Sequence, residues 1–324
     1  MAMEKGKNII QKIFGNSVLV RLVAIVILAV VFTGVSNGSF LSNYNLKNLL
    51  SDIVPYLVMA MGVTFVLMVG SIDLSMGTLA SAVTCVLAKL IPTIGFWAYP
   101  IALSLGIIGG YINGNLVARV KMPSFIATLS TMSIWSSVAY VVSGSHSIEI
   151  VKSNWDYIIW AKTFWGVIPK ALVFALILWA ILFTIQHSTS FGKGLTAAGV
   201  NERAAQIAGV NVTRVKVLAF TLCGTCSALA GIALGAKLRG GLPTAGDAMC
   251  MLAIASAVLG GTALEGGKGG ILNTLLGAAM VIMFQNGLNI IGVTSNSQDV
   301  VFGFLIIAAV FFAADRSSKH TIIK

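Results

Sequence analysis

The chain is poor in charge. Only 10% of its 324 residues are Asp, Glu, Lys or Arg, and only 10 are acidic. A soluble domain carries about 25% charged residues. With 57% hydrophobic residues and a mean hydropathy of +0.94, this shortage excludes a water-soluble fold. The apolar runs have the length of helical spans rather than of barrel strands, so the expected class is an all-α polytopic membrane protein. Histidine is scarce too: His146, His187 and His320 are dispersed, and no metal centre is expected. There are four cysteines. Cys223-Gly-Thr-Cys226 has redox spacing, but it lies inside an expected span without a strand–helix context or further ligands, and reads as small residues packing one helix face. No nucleophile–base pair stands out, and the chain is not expected to be an enzyme. The net charge of +11 is read as membrane orientation, not as nucleic-acid binding.

A nucleotide site is also missing. The phosphate loop needs G-x-x-x-x-G-K followed by Ser or Thr. Before Gly267-Lys268 the first glycine is replaced by Thr262, and Gly269 follows; around Gly192-Lys193 the same places hold His187 and Gly194. No cofactor is expected in this chain, and any ATP with its Mg2+ would sit on a partner. Intramembrane acids, which often mark ion-coupled carriers, are lacking as well: Asp52, Asp73, Asp247, Glu265 and Asp299 all fall at span ends or turns.

Hydropathy divides the chain into a polar, basic N-terminal segment at 1–17, a membrane domain at 18–314 and a basic tail at 315–324. About ten spans are expected, at 18–35, 52–70, 75–91, 96–118, 123–142, 169–186, 217–236, 248–261, 271–293 and 300–314. Residues 36–51, 144–168 and 237–247 read as outer segments, the second with the interfacial aromatics Trp155, Tyr157, Trp160 and Trp165. Basic residues divide about two to one in favour of the other side, which places both termini in the cytoplasm. Gly106, Gly109, Gly110 and Gly114 offer small faces for close helix packing. The runs VLMVGSIDLSMG at 66–77 and VLGGTALEGGKG at 258–269 echo one another; they read either as an internal repeat of transporter type or as chance among Gly-rich membrane sequences.

The longest ordered polar stretch is the loop at 187–216. Within it Asn201 is an N-cap, Glu202 stands in the first turn, Arg203, Ala204, Ala205 and Ile207 follow, and Gly209 closes the helix. A short helix there suits docking on a soluble partner or is an ordinary connection. Polar uncharged residues gather in three spans: Asn113 and Asn115; Ser124, Thr128, Ser130, Thr131 and Ser133; and Asn273, Thr274, Gln285, Asn286 and Asn289. Thr128 with Thr131 and Gln285 with Asn289 share helix faces. Asn113, Thr128, Thr131, Asn273, Gln285 and Asn289 are the candidates for a path taken by a neutral, hydroxylated solute; the alternative is helix–helix hydrogen bonding.

Four stretches then carry a resemblance: SIDLSMG at 71–77, PSFIATLSTM at 123–132, GVNERAAQIAGVNVTRVK at 199–216 and AVLGGTALEGGKGG at 257–270. In these, and in their order, the chain resembles the permease subunits of bacterial ABC importers that serve ribose, xylose, galactose and related monosaccharides. The resemblance implies that residues 201–209 form the helix that couples to an ATPase subunit with two nucleotide-binding cassettes. It further implies a second permease subunit, identical or sister, a periplasmic sugar-binding protein, and an inner-membrane location among lipid. Nucleosides or branched-chain amino acids are alternative cargoes on the same scaffold, and an ion-coupled secondary carrier is the alternative from another class. One departure is present: Met249-Cys250-Met251-Leu252 stands where the family carries an aromatic and acidic run.

Overall fold

A computed structural model describes residues 17–294, 297, 298, 300–304 and 307. The expected N-terminal segment, most of the span expected at 300–314, Asp299 and the tail at 315–324 lie outside the described residues. Eleven α-helices follow in the described part. They are α1 Ser17–Val35, α2 Asn43–Met68, α3 Met76–Ile94, α4 Ala98–Ala118, α5 Ser124–Ser143, α6 Lys170–Ser188, α7 Ser190–Val200, α8 Glu202–Ile207, α9 Val212–Leu238, α10 Met249–Leu259 and α11 Ile271–Ile290. Four two-residue strands, β1 Ile148–Glu149, β2 Phe164–Trp165, β3 Ile168–Pro169 and β4 Gly240–Gly241, form two antiparallel pairs, β1 with β4 and β2 with β3.

The helical membrane class is as expected; the count of about ten is not confirmed, most of the span expected at 300–314 lying outside the described residues. Among the described residues seven segments are long and apolar enough to cross a membrane. One of them, Met76–Ala118, has 43 residues. At 1.5 Å per residue that is about 64 Å, twice the hydrocarbon core, and it breaks into α3 and α4 at Gly95, whose φ is +56°. The span expected at 248–261 is shortened to the 11 residues of α10.

At the centre, α9 packs against α2, α3 and α4. Its contact with α4 is backbone on backbone. A Cβ on Gly106 would lie 2.3 Å from Gly224 O, one on Gly110 2.3 Å from Phe220 O, and one on Gly114 2.8 Å from Val217 Cα. Three glycines spaced by four residues thus form the groove that admits α9. Gly109 points elsewhere, onto the ring of Trp135. Cys223 and Cys226 are buried in the same core, with Gly62 of α2 facing Cys226 Cβ. That is the packing role expected of them, and all four cysteines are free.

Two expected outer segments are structured differently. Residues 43–51 are helical and continuous with the following span: Ser42 caps α2 by accepting from the Asn45 N–H, and α2 runs 26 residues through Pro55. The helix is held there by a buried amide pair. Asn45 Nδ2 donates to Asn286 Oδ1 at 2.8 Å, and Asn286 Nδ2 donates to Asn45 Oδ1 at 3.0 Å. Replacing Asn45 by Leu leaves the partner amide unpaired, with an expected loss of about 2 kcal/mol. The double variant Asn45→Leu/Asn286→Leu should lose less than the sum of the single changes. Thermal unfolding of the four proteins in detergent checks this; additive losses would contradict it.

Residues 237–247, expected outside, turn back into the bundle along α3. The Leu242 N–H donates to Thr84 Oγ1 at 3.3 Å and the Gly246 N–H to Ser81 Oγ at 2.9 Å, while Ser81 Oγ donates to Asp247 Oδ1 at 2.8 Å. Hydroxyls of α3 thereby satisfy two N–H groups of an irregular segment in which Gly241, Pro243 and Gly246 are buried and Leu242, Thr244, Asp247 and Ala248 are exposed. The half-length helix α10, about 16 Å, begins where this segment ends. At the same end of the bundle, residues 144–168 are an ordered cap. The Arg239 guanidinium lies 3.6 Å from the centre of the Trp155 ring. Trp155 Nε1 donates to Ile150 O, Tyr99 Oη to Tyr157 O and Trp160 Nε1 to Tyr99 Oη.

Candidate functional site

The loop expected at 187–216 is two helices and a turn. In α7, Thr189 accepts from the Gly192 N–H as N-cap. Asn201 both ends α7 and begins α8, its Oδ1 accepting from the Ala204 N–H at 3.0 Å. Gly209, with φ +85°, reverses the chain, and Asn211 caps α9 through the Arg214 N–H at 3.0 Å. The caps at Asn201 and Gly209 stand as the sequence reading has them, and α8 of six residues is shorter than two turns.

Only one residue of α8 faces inward: Ala205 is buried and packs in the main core. Glu202 ties the helix down at its start. Its carboxylate lies 2.6 Å from Lys216 Nζ on α9 and 3.9 Å from Lys121 Nζ on the turn before α5. Arg203, Ala204 and Gln206 are exposed, and Ile207 is 83% exposed. Between α7 and α8 runs a shallow apolar groove lined by Thr196, Ala197, Val200, Ala204 and Ala208, with Lys193 at its edge. The element is held below by Ala205 and the Glu202 ion pairs and presents the groove and Ile207 above, beside exposed Arg203 and Gln206.

Beneath α7 the two echoed turns meet. The Gly267 N–H donates to Met68 O at 2.9 Å. A Cβ on Gly70 would touch Glu265 O at 3.0 Å, and one on Gly266 would lie 2.7 Å from Gly70 N. Gln186, at the end of α6, clamps the same turn: Nε2 donates to Gly269 O at 3.3 Å, and Oε1 accepts from the Ile271 N–H at 2.8 Å. The two runs form one junction.

The six path candidates fall into two sets. Asn113 is buried; its Nδ2 donates to Ser75 Oγ at 2.8 Å, and its Oδ1 accepts from Thr131 Oγ1 at 2.8 Å. Ser75 in turn donates from N and Oγ to Asp73 Oδ1, at 2.9 and 2.6 Å. Thr128, also buried, donates to Ser124 O at 2.9 Å. This is one polar chain around the buried carboxylate of Asp73, joining α4, α5 and the turn before α3. The other set lies along α11. Asn273 is half-buried, and its Oδ1 has no hydrogen-bond partner among the described residues. Gln285 is half-buried beside the Tyr56 hydroxyl, and exposed Asn289 accepts from Gln298 Nε2 at 2.6 Å. α5 packs chiefly on α3 and α4, and α11 on α1, α2 and α10, so the sets stand on different flanks of the chain.

On the opposite face of α5, Ser130 and Ser133 are named in the sequence reading but not among the path candidates, and Ser137 is not named. Ser130, Ser133 and Ser137 are exposed there, and each hydroxyl donates only to a carbonyl one turn back. Their spacing, i, i+3 and i+7, puts them on one face, and burial sets that face apart from Thr128 and Thr131. In the departure at 249–252, Met249, Cys250 and Leu252 are buried, Cys250 Sγ lies 3.7 Å from Leu74 O, and Met251 is half-exposed. Near the cap at the other end, burial and the charges of Arg239 and Lys237 hold the Lys162 ammonium below its ordinary value. Among the described residues no group of three or more metal-ligating side chains is present.

The family described as branched-chain amino acid transport system / permease component matches residues 45–310. The chain is 36% identical over 294 residues to the ribose import permease protein RbsC of Bacillus subtilis, covering 89% of this chain and 90% of that one. It is 31% identical over 330 residues to a probable ABC transporter permease protein, YphD, of Escherichia coli, covering 98% of each. It is 31% identical over 324 residues to the fructose import permease protein FrcC of Rhizobium meliloti, covering 94% of this chain and 88% of that one. No solved structure is significantly similar to it. On a bundle of membrane-spanning helices that carries an anchored, outward-facing α8, the match over residues 45–310 is decisive: the chain belongs to the family of transport-system permease components.

Proposed function

We propose that this chain is the membrane-spanning subunit of an ATP-driven importer that moves a monosaccharide, a pentose or a hexose, across the bacterial inner membrane. The observation that carries the reading is α8. It is capped by Asn201, held by Glu202 and topped by exposed Ile207, as a helix must be if it is to transmit force from a soluble motor. The relatives' names supply the cargo class. A branched-chain amino acid is the second reading, because the family's own description names it.

In this reading an ATPase subunit with two cassettes binds ATP and Mg2+ and docks in the groove between α7 and α8. This chain is non-catalytic. Both termini lie on the ATPase side, in keeping with the excess of basic residues there. A loaded binding protein docks at the opposite end, on the cap at 144–168. A second permease subunit, a copy or a sister chain, faces the exposed hydroxyls of α5. Cassette closure draws the α8 helices together, the pair opens outward, the sugar enters, and hydrolysis restores the inward state. The chain contributes two conformations, and the partners' unequal binding to them supplies the free energy. The solute path runs between the subunits along Ser130, Ser133 and Ser137, and Gln285, Asn289 and Asn273 form its second candidate wall. Asn113, Thr128 and Thr131 hold α5 in place behind it.

The test is uptake by liposomes containing the chain with its ATPase and binding protein. Labelled ribose and fructose should accumulate only with internal ATP. Accumulation of leucine alone would favour the second reading, and accumulation on a sodium or proton gradient without ATP would contradict the proposal.

A further inference from the structure

Gly199 occupies a position that the coupling reading leaves without a role. It is the penultimate residue of α7, two before the cap of α8. A Cβ built on it would fall 2.0 Å from Met68 O and 2.2 Å from Gly267 N. Those two atoms are the acceptor and donor of the 2.9 Å hydrogen bond that joins the end of α2 to the turn between α10 and α11. No φ in the left-handed region is recorded for Gly199, so its own backbone does not demand glycine. The neighbours that exclude a side chain are main-chain atoms, which cannot rotate away. Gly199 Cα in turn lies 3.1 Å from where a Cβ on Gly266 would stand.

We infer that Gly199 is a positioning residue for coupling: through its bare backbone α7 grips the Met68–Gly267 bond, so that α8, the end of α2 and the turn before α11 move as one piece. The inference rests on the proposed docking of an ATPase at α8. Rigid transmission follows from contact type. A side-chain contact yields by rotamer change, whereas packed main chain has no such slack. Of the helices joined here, α2 lies in the central core and α11 carries the second candidate wall of the path, so a displacement at α8 reaches both without an intervening flexible segment.

Gly199→Ala tests it in the assembled transporter. The methyl group must break the Met68–Gly267 bond or tilt α7. The expected result is retained co-purification of the ATPase and retained basal hydrolysis, with sugar moved per ATP reduced at least tenfold. A merely structural role would lower hydrolysis and uptake together, in proportion to folded protein, and an unchanged ratio of sugar to ATP overturns the inference. A second measurement uses the unaltered protein. Hydrogen exchange of the complex, with and without a non-hydrolysable ATP analogue, should show segments 66–70 and 265–268 changing protection together with 197–201. A change confined to 190–209 overturns the inference. Should the native chain bind no ATPase, the coupling reading and this inference fall together; should native coupling be intact but indifferent to Gly199→Ala, the inference alone falls.

Discussion

Ile207→Asp should abolish ATP-driven uptake while leaving the permease folded and inserted. Ile207 is 83% exposed on a helix of six residues, and an exposed site away from special backbone tolerates substitution to within about 0.5 kcal/mol. In a docked complex the same side chain becomes a buried apolar anchor. Replacing such an anchor by a carboxylate costs on the order of 2–4 kcal/mol, because the charge must be desolvated without a partner. Docking should therefore weaken by about two orders of magnitude. Ala204→Asp, also on the exposed face, should act in the same direction. Ala205→Asp is a poorer probe, since Ala205 is buried in the main core and an acid there would also destabilise the fold. Uptake and detergent-extracted yield, measured side by side, separate the two effects. Normal uptake by Ile207→Asp would return α8 to the rank of a connection.

The largest effect on the fold itself is expected at Gly110. A Cβ at this position lies 2.3 Å from Phe220 O and 2.9 Å from Thr221 Cα. Both are main-chain atoms of α9, so Gly110→Leu forces α4 and α9 apart along the central contact of the bundle. Overpacking of a relaxed core costs about 1–3 kcal/mol. Here the two helices cannot separate without losing the neighbouring contacts at Gly106 and Gly114, and the expected loss is about 3 kcal/mol or more. Folded protein recovered in mild detergent should fall below a tenth of the wild-type amount, as marginal stability implies. Gly34→Leu is the control: nothing lies within 4 Å of a Cβ there, and recovery should be unchanged. Wild-type recovery of Gly110→Leu would mean that α4 and α9 are not in backbone contact.

What was legible in the sequence was local. The Asn201 cap and the Gly209 stop need only neighbouring residues, and both stand in the structure. The small faces of α4 are periodic and stand as well. What was not legible depends on residues distant in sequence. Nothing between 36 and 51 shows that Asn45 has Asn286 as its partner, so a polar stretch reads as an outer segment before the span although it opens α2. In α7 three glycines lower helix propensity, and only the close approaches of Gly192 to Gln186 O and of Gly199 to Met68 O explain why glycine stands there. The inward turn of 240–248 rests on Ser81 and Thr84, more than 150 residues away.

The candidate site divides in the same way. The short helix at 201–209 was legible from caps and composition, its coupling role only as what the family resemblance implies, and its anchoring through Lys216 and Lys121 became visible only with the fold. Along α5, composition does not separate Thr128 and Thr131 from Ser130 and Ser133. Burial does: both threonines are buried, Thr131 joining the network around Asp73 through Asn113 and Thr128 donating to Ser124 O of its own helix, and the serines keep an open face. A hydroxyl that must satisfy a neighbouring helix and a hydroxyl that can meet a solute look alike until the packing is known.

The central claim is that α8 docks on an ATP-hydrolysing partner, and one measurement meets it most directly. A single cysteine is placed at Ile207 in a chain whose four native cysteines are replaced by Ala or Ser. A short thiol-reactive, photoactivatable cross-linker is attached, and the chain is irradiated in membranes of its source cell and analysed by mass spectrometry. The account predicts a cross-link to a subunit bearing two nucleotide-binding cassettes, and ATPase activity of the purified complex that rises when a sugar-loaded binding protein is added. A cysteine at Ile207 that labels freely and cross-links to no such subunit, in membranes that still take up solute through this chain, would contradict it.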